Sequence, residues 1–244
     1  MENMYMDVSF ENLKDELAVM GINTTEQMVN QFSMYYELLI EWNKVMNLTA
    51  ITDLNEVIQK HFLDSAALGK YYPLDKKLSL IDIGTGAGFP GVPLKILFPK
   101  LEIVLVDSIG KRIKFLNELI LKLELEHIQA IHGRAEDLAR QSAYREKFDL
   151  CVSRAVTNLA SLCEYCIPFI RMDGLFISYK SAMVGEEVKQ AENAIQILGG
   201  KINKIEEFQI PHADFQRSFI FIQKIKKTGI KYPRKAGTPT RNPL

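Results

Sequence analysis

The sequence is poor in cysteine, in histidine, in long apolar runs and in net charge, and each shortage excludes something. Three cysteines in 244 residues are an odd number and too few for a disulfide framework, so a reducing compartment is expected. No apolar run approaches the roughly 20 residues that cross a bilayer. The opening decapeptide holds two acids and no basic cluster, unlike a secretory leader. These absences predict a cytoplasmic protein with no membrane segment; a monomer is expected, though nothing in the composition itself decides that. Four scattered histidines argue against a metal centre, and none is expected. Internal repeats and low-complexity stretches are missing too.

Charge balances at 30 Lys+Arg against 30 Asp+Glu, but it is unevenly placed. The first fifty residues carry eight acids against Lys14 and Lys44, whereas Lys224 to Leu244 holds seven basic residues and no acid. A basic tail of this kind either contacts a polyanion or is simply a solvated terminus. A hydrophobic share of 47% is enough for a substantial core, and the length suits one good-sized domain or a domain with a modest extension.

Hydrophobic periodicity divides the chain. Met28, Phe32, Tyr35, Leu39, Trp42 and Met46 recur at steps of three and four, which predicts an amphipathic helix over residues 24–47 capped by Thr24 or Thr25. Further helices are expected over 8–20 and 54–71, with no strand before residue 76. After the turn-like Tyr72-Pro73 junction, short apolar runs alternate with helical segments. Strands are predicted at 78–83, 102–106, 128–131, 148–152 and 174–179. Helices are predicted at 92–97, 111–123, 135–142, 158–170 and 185–198. Such alternation implies an α/β fold with a parallel sheet and right-handed crossovers. Two last strands, near 203–210 and 217–225, have little between them and predict an antiparallel hairpin. Residues 1–75 are thus read as a helical subdomain, 76–227 as the sheet domain and 228–244 as the basic tail.

The strongest local signal is Asp82-Ile-Gly84-Thr-Gly86-Ala-Gly88-Phe89-Pro90-Gly91. A buried strand runs into closely spaced glycines, whose missing Cβ atoms let backbone turn tightly and approach a ligand. A dinucleotide loop reads G-x-G-x-x-G and aims its helix at a pyrophosphate. Here the third glycine of that pattern falls on Phe89. An acid-led Gly-x-Gly-x-Gly loop suits S-adenosylmethionine better, because that ligand has no phosphate. This points to a class I S-adenosylmethionine-dependent methyltransferase, Rossmann-like in its sheet. Asp107, ending the next strand nineteen residues after Gly88, is placed to accept hydrogen bonds from ribose hydroxyls. By itself it would read as a helix cap, with Ser108 and Gly110 following. Ala135-Glu136-Asp137, after the third strand, either reads an adenine edge or supplies first-turn acids to a helix.

Methyl transfer from a sulfonium asks the protein mainly to orient and desolvate the acceptor. The Asn/Asp-Pro-Pro-aromatic clamp of exocyclic amine methylation is missing; Ser153-Arg154-Ala155-Val156 stands in its place. Carbon-5 methylation of a pyrimidine needs a cysteine beside the cofactor, and Cys151 lies within a strand. Cys163 and Cys166 have thioredoxin-like spacing but fall mid-helix, as core thiols. A ring nitrogen with a lone pair needs no base, and the sequence fits that case. Arg154 and Lys180, at the ends of the fourth and fifth strands, are the catalytic candidates. For each the choice lies between contacting cofactor or substrate and making a salt bridge to a helix acid.

Taken together the chain resembles the bacterial small-subunit rRNA guanine-N7 methyltransferase family RsmG, also called GidB. The resemblance rests on Trp42-Asn-Lys-Val-Met-Asn47-Leu-Thr49, His61-Phe-Leu-Asp64-Ser65, the 82–93 loop, and Leu105-Val-Asp107-Ser108 with Gly110-Lys-Arg112. Ser153-Arg-Ala155 and the tail from Tyr232 to Leu244 complete it. It implies methylation of one guanine in the 530 loop of 16S rRNA, whether as naked rRNA, in a precursor particle or in the 30S subunit. It implies cofactor contacts at Gly84, Gly86, Gly88, Phe89, Asp107, Ser108, Ala135, Glu136 and Arg154. RNA contacts are implied at Asn47, Thr49, His61, Asp64, Ser65, Lys180, Arg234, Lys235 and Arg241.

Overall fold

The computed structural model describes residues 2–154 and 157–244, with side chains from Ser9 onward; Ala155 and Val156 of the Ser153-Arg-Ala155 motif lie outside the described residues. Two long helices open the chain, α1 (Glu2–Val19) and α2 (Glu26–Asn43). Thr25 caps α2 by accepting from Met28 N at 3.2 Å, and the apolar stripe buries Phe32, Tyr35, Leu38 and Leu39. The helix expected over 54–71 is present but irregular: α3 (Leu54–Val57) runs without a gap into a π-helical stretch (Ile58–Leu63) and α4 (Asp64–Ala66), and a turn at Ala67 leads to α5 (Leu68–Tyr71). Ser65 Oγ donates to the His61 carbonyl at 2.5 Å inside this segment, a side-chain claim on a backbone acceptor that disturbs regular helix pairing.

The alternating region follows as β1 (Ser79–Ile83), α6 (Gly91–Leu97), β2 (Glu102–Asp107), α7 (Gly110–Lys122), β3 (Ile128–His132), α8 (Ala135–Leu138), β4 (Phe148–Arg154) and α9 (Leu159–Cys166). A 3₁₀ turn (Ile167–Phe169) leads into β5 (Ile170–Ser181). Then come α10 (Gly185–Ile197), β6 (Gly200–Gln209), β7 (Gln216–Lys224) and a last turn of helix, α11 (Thr238–Arg241). The helix expected over 135–142 is only the four residues of α8.

All seven strands form one sheet in the order β3-β2-β1-β4-β5-β7-β6. The first five are parallel; β7 runs antiparallel to both β5 and β6. The chain therefore reverses its winding between β1 and β4, which leaves a crevice at their carboxyl ends. One sheet face carries Leu80, Leu105, Leu150, Ile177 and Phe219 and shares a core with Phe32, Tyr35 and Phe62 of the front helices. The opposite face carries Ile81, Val106, Cys151 and Phe176 and packs on α9 and α10. Cys151, Cys163 and Cys166 are buried thiols in that second core. No helix of the described residues is long and apolar enough to cross a membrane.

Candidate functional site

The glycine loop between β1 and α6 is held from three sides. From beneath, the buried Asp82 carboxylate accepts from Thr85 Oγ1 at 2.7 Å and from Gly91 N at 2.9 Å through Oδ2. Its Oδ1 has no partner among the described residues. Burial raises Asp82 to about 7, against the lowering effect of those two hydrogen bonds. From β2, Asp107 Oδ2 accepts from Gly86 N at 3.0 Å. From the front, Tyr35 Oη donates to Ala87 O at 2.5 Å. Gly86 has φ +62° and open space where a Cβ would stand, whereas a Cβ on Gly88 would lie 2.7 Å from Tyr35 Oη. Of the three glycines assigned to the cofactor, Gly84 lines the cavity described next, Gly86 gives its N–H to Asp107, and Gly88 packs closely against Tyr35 and Val92.

Beside the loop lies a cavity of about 220 Å³ lined by Ile83, Gly84, Val106, Asp107, Ser108, Gly133, Arg134, Ala135 and Glu136 on one side. Tyr165, Gly237 and Thr240 close the other. Asp107 ends β2 with Oδ1 accepting from Ile109 N at 2.9 Å and Oδ2 from Arg112 Nη1 at 3.2 Å as well as Gly86 N. A carboxylate offers about four acceptor positions, so one remains for a ligand hydroxyl. The half-exposed Arg112 is the partner most readily displaced. Both residues come from the sequence motif, but the Arg112 contact appears only in three dimensions.

Phe89 does not reach this cavity. Its ring is buried, stacked on Tyr35 (centroids 5.3 Å, 16°) and on His61 (4.5 Å, 24°). An aromatic ring held in this way is fixed in orientation by its stack.

A second cavity, of about 410 Å³, opens on the other side of β4 and is lined by Ile51, Lys60, His61, Asp64, Arg154, Tyr179, Lys180, Ser181 and Arg217. Arg154 ends β4 and lies over the Phe89 ring at 5.1 Å. It donates to Asp64 Oδ2 at 2.8 Å and to Lys60 O at 2.9 Å, so the salt bridge to a helix acid is the arrangement present. Arg217, which the sequence did not single out, holds the other Asp64 oxygen at 2.8 Å. Lys180 likewise pairs with Glu187 at 2.7 Å and donates to Thr157 O.

His61 is gripped by Thr49 Oγ1 at Nε2 (2.9 Å) and by Arg154 Nη2 at Nδ1 (3.2 Å). Nδ1 also lies 3.1 Å from the Lys60 carbonyl, so the same nitrogen faces a donor, Arg154, and an acceptor. Burial first, and the Arg154 charge second, lower His61 to about 4. The ring is neutral at pH 7.

Several residues expected to face RNA are otherwise engaged. Ser65 is fully buried with its hydroxyl on the His61 carbonyl, and Asp64 is buried between two guanidinium groups. Asp64 still lines the larger cavity, whereas Ser65 does not. Arg234 is taken up by the fully buried Glu164, whose two oxygens it meets at 2.7–3.0 Å. A buried carboxylate demands such a partner. Asn47, Lys235 and Arg241 remain exposed, and Thr49 is half-buried.

A doubly wound sheet with a glycine loop at its switch point, an acid ending β2 and a closing antiparallel hairpin defines the class I S-adenosylmethionine-dependent methyltransferase fold. A SAM-dependent O-methyltransferase from Thermotoga maritima shares it, with a TM-score of 0.52 at 15% identity over 68% of this chain and 66% of that one. TrmN from Thermus thermophilus does so with a TM-score of 0.51 at 13% identity, over 69% of this chain and 53% of that one. The model of the GidB family, rRNA small subunit methyltransferase G, matches residues 28–219, and the chain belongs to that family. Two relatives called ribosomal RNA small subunit methyltransferase G are close in sequence. That of Lachnoclostridium phytofermentans is 52% identical, covering 93% of this chain and 94% of its own; that of Clostridium kluyveri is 47% identical, covering 96% and 98%.

Proposed function

We propose that the protein transfers a methyl group from S-adenosylmethionine to N7 of a guanine in 16S rRNA, in the 530 loop. The observation that carries this reading is the pair of cavities flanking β1 and β4. One is small, with bare glycine backbone and a ribose-type acid; the other is cationic. The small cavity lies at the carboxyl ends of β1 and β2 and the cationic one at those of β4 and β5, with β1 and β4 neighbours in the sheet. A cofactor and a polyanionic acceptor need such a division.

Gly84, Gly86, Asp107, Ser108, Ala135 and Glu136 would hold the cofactor. When bound, it supplies an electrophilic methyl on sulfur, which a ring nitrogen accepts without loss of a proton. The protein's work is therefore positioning. Lys60, Lys180 and Arg217 line the acceptor cavity with positive charge suited to phosphates. Neutral His61 and the Arg154–Asp64 pair form its floor, where a base can be received away from bulk water. The Asp64 carboxylate offsets positive charge that develops on a purine alkylated at N7. Asn47, Lys235 and Arg241 are the exposed groups proposed to meet RNA beyond the cavity. Ribosomal RNA as substrate makes the cytoplasm the working compartment.

The test is transfer of labelled methyl from S-adenosylmethionine to 16S rRNA and to 30S subunits from cells lacking the enzyme. Borohydride–aniline scission then locates N7-methylguanine. Scission at a single 530-loop guanine is expected. Label on another atom or another RNA would overturn the assignment.

A further inference from the structure

The chain after β7 does not hang from the fold as a basic arm. Arg145 gathers three of its carbonyls, Thr228, Gly229 and Tyr232, at 2.8–3.2 Å, and Arg140 takes the Pro233 carbonyl at 2.5 Å. Arg234 closes on the buried Glu164 with side chain and backbone N–H together. Lys224, fully buried, ties the start of the segment to the Ile167 carbonyl. These anchors lead the last residues back over α8 and α9 to the small cavity. There Gly237 N donates to Glu136 Oε1 at 3.0 Å, Ser161 Oγ to Pro239 O at 2.8 Å, and Thr240 Oγ1 lies 2.7 Å from Tyr165 Oη. Gly237 and Thr240 line the cavity opposite Ile83, Val106 and Ala135.

We propose that the segment Gly237–Thr240 is a wall of the cofactor pocket, and that Thr240, with Tyr165, reads the hydrogen-bonding edge of the cofactor's purine. The proposal rests on the reading of this cavity as the S-adenosylmethionine site. Asp107 marks the ribose end, so the base extends toward Ala135 and Glu136 between apolar side chains. The same cavity is lined by Tyr165 and Thr240, whose hydroxyls lie 2.7 Å apart. An adenine edge offers one acceptor and one donor close together, and a hydroxyl can both donate and accept. Glu136, assigned to the cofactor from sequence, is then shared: it fixes the tail through Gly237 and bounds the cavity itself. The tail's positive charge serves in part to dock it, with Arg234 spent on Glu164.

The experiment is calorimetric titration with S-adenosylhomocysteine of the full chain, of Thr240→Arg, and of a chain ending at Lys235, which keeps the Arg234–Glu164 pair. Thr240 is exposed, so the arginine fills the cavity without entering the core. Both variants are expected to bind the ligand at least about tenfold more weakly, a difference of about 1.4 kcal/mol. Filter-binding affinity for 16S rRNA and the melting temperature of ligand-free Thr240→Arg should stay close to those of the parent. Unchanged ligand affinity in Thr240→Arg, or loss of RNA affinity alone, overturns the proposal in favour of an RNA-binding arm. Failure of the full chain itself to bind S-adenosylhomocysteine would overturn the cofactor reading along with it.

Discussion

The hydroxyl of Tyr35 on α2 donates to the carbonyl of Ala87 in the glycine loop at 2.5 Å, across 52 residues of chain. The front helices are thereby part of the cofactor loop's own support. Tyr35 is fully buried, and burial drives its phenol well above the ordinary range, so it stays a donor throughout the working pH range. Tyr35→Phe keeps the ring stack with Phe89 and removes only the hydroxyl. A stability loss of about 1–2 kcal/mol in urea unfolding is expected, because the Ala87 carbonyl loses its buried donor. S-adenosylhomocysteine affinity should fall as well. Loss of stability with affinity unchanged would show that the loop holds its shape without this contact.

Asp64 holds two guanidinium groups at once, Arg154 and Arg217. Asp64→Asn keeps the shape and discards the charge. Both arginines also face the acceptor cavity and can turn to solvent, so a cost of about 1.5–3 kcal/mol is expected rather than the full penalty of an isolated buried charge. Methyl transfer should fall more than cofactor binding does. Equal losses in both would argue against a role on the acceptor side.

His61 and Asp82 predict opposite pH dependences. His61 is lowered to about 4 in the fold, so it stays neutral where the unfolded chain already binds a proton. Its contribution to stability is complete above pH 6.5 and falls away toward pH 4, by about 3 kcal/mol. Asp82 is raised to about 7, so the native state holds a proton that the unfolded chain has released. Its contribution is complete below pH 3.8 and is lost as pH rises through 7. His61→Asn should flatten the acid side of the stability profile, and Asp82→Asn the neutral side. Parallel profiles for parent and variants would refute the assignment.

Removing the Arg234 side chain leaves the buried Glu164 carboxylate with no cationic partner, only the backbone N–H of residue 234. Arg234→Ala is expected to destabilise by about 3–5 kcal/mol and to open the last ten residues to carboxypeptidase. Arg234→Ala combined with Glu164→Gln should recover part of the loss. A tail equally resistant in parent and single variant would mean that the other anchors suffice.

The glycine loop was legible in the sequence because its chemistry is local. Gly84, Gly86 and Asp107 sit at the ends of strands whose apolar runs are unmistakable, and their roles follow from backbone geometry at a strand end. The alternation of strands and helices fixed a parallel sheet for the same reason, since periodicity is written residue by residue. What the linear pattern did not contain was anything that depends on which segments meet. Phe89 stands where a dinucleotide loop has glycine, and that much is sequence. That its ring stacks between Tyr35 and His61 is set by helices upstream of the loop. Arg154 was recognisable as a charged strand end, but its partner among the helix acids was not, and Arg217 gave no signal at all. The tail is the sharpest case. Its charge was plain, but not that the buried carboxylate of Glu164 takes Arg234 while Lys235 and Arg241 stay exposed. A charge run records what a segment carries; only the packed fold decides whether a polyanion or a buried acid of the same chain receives it.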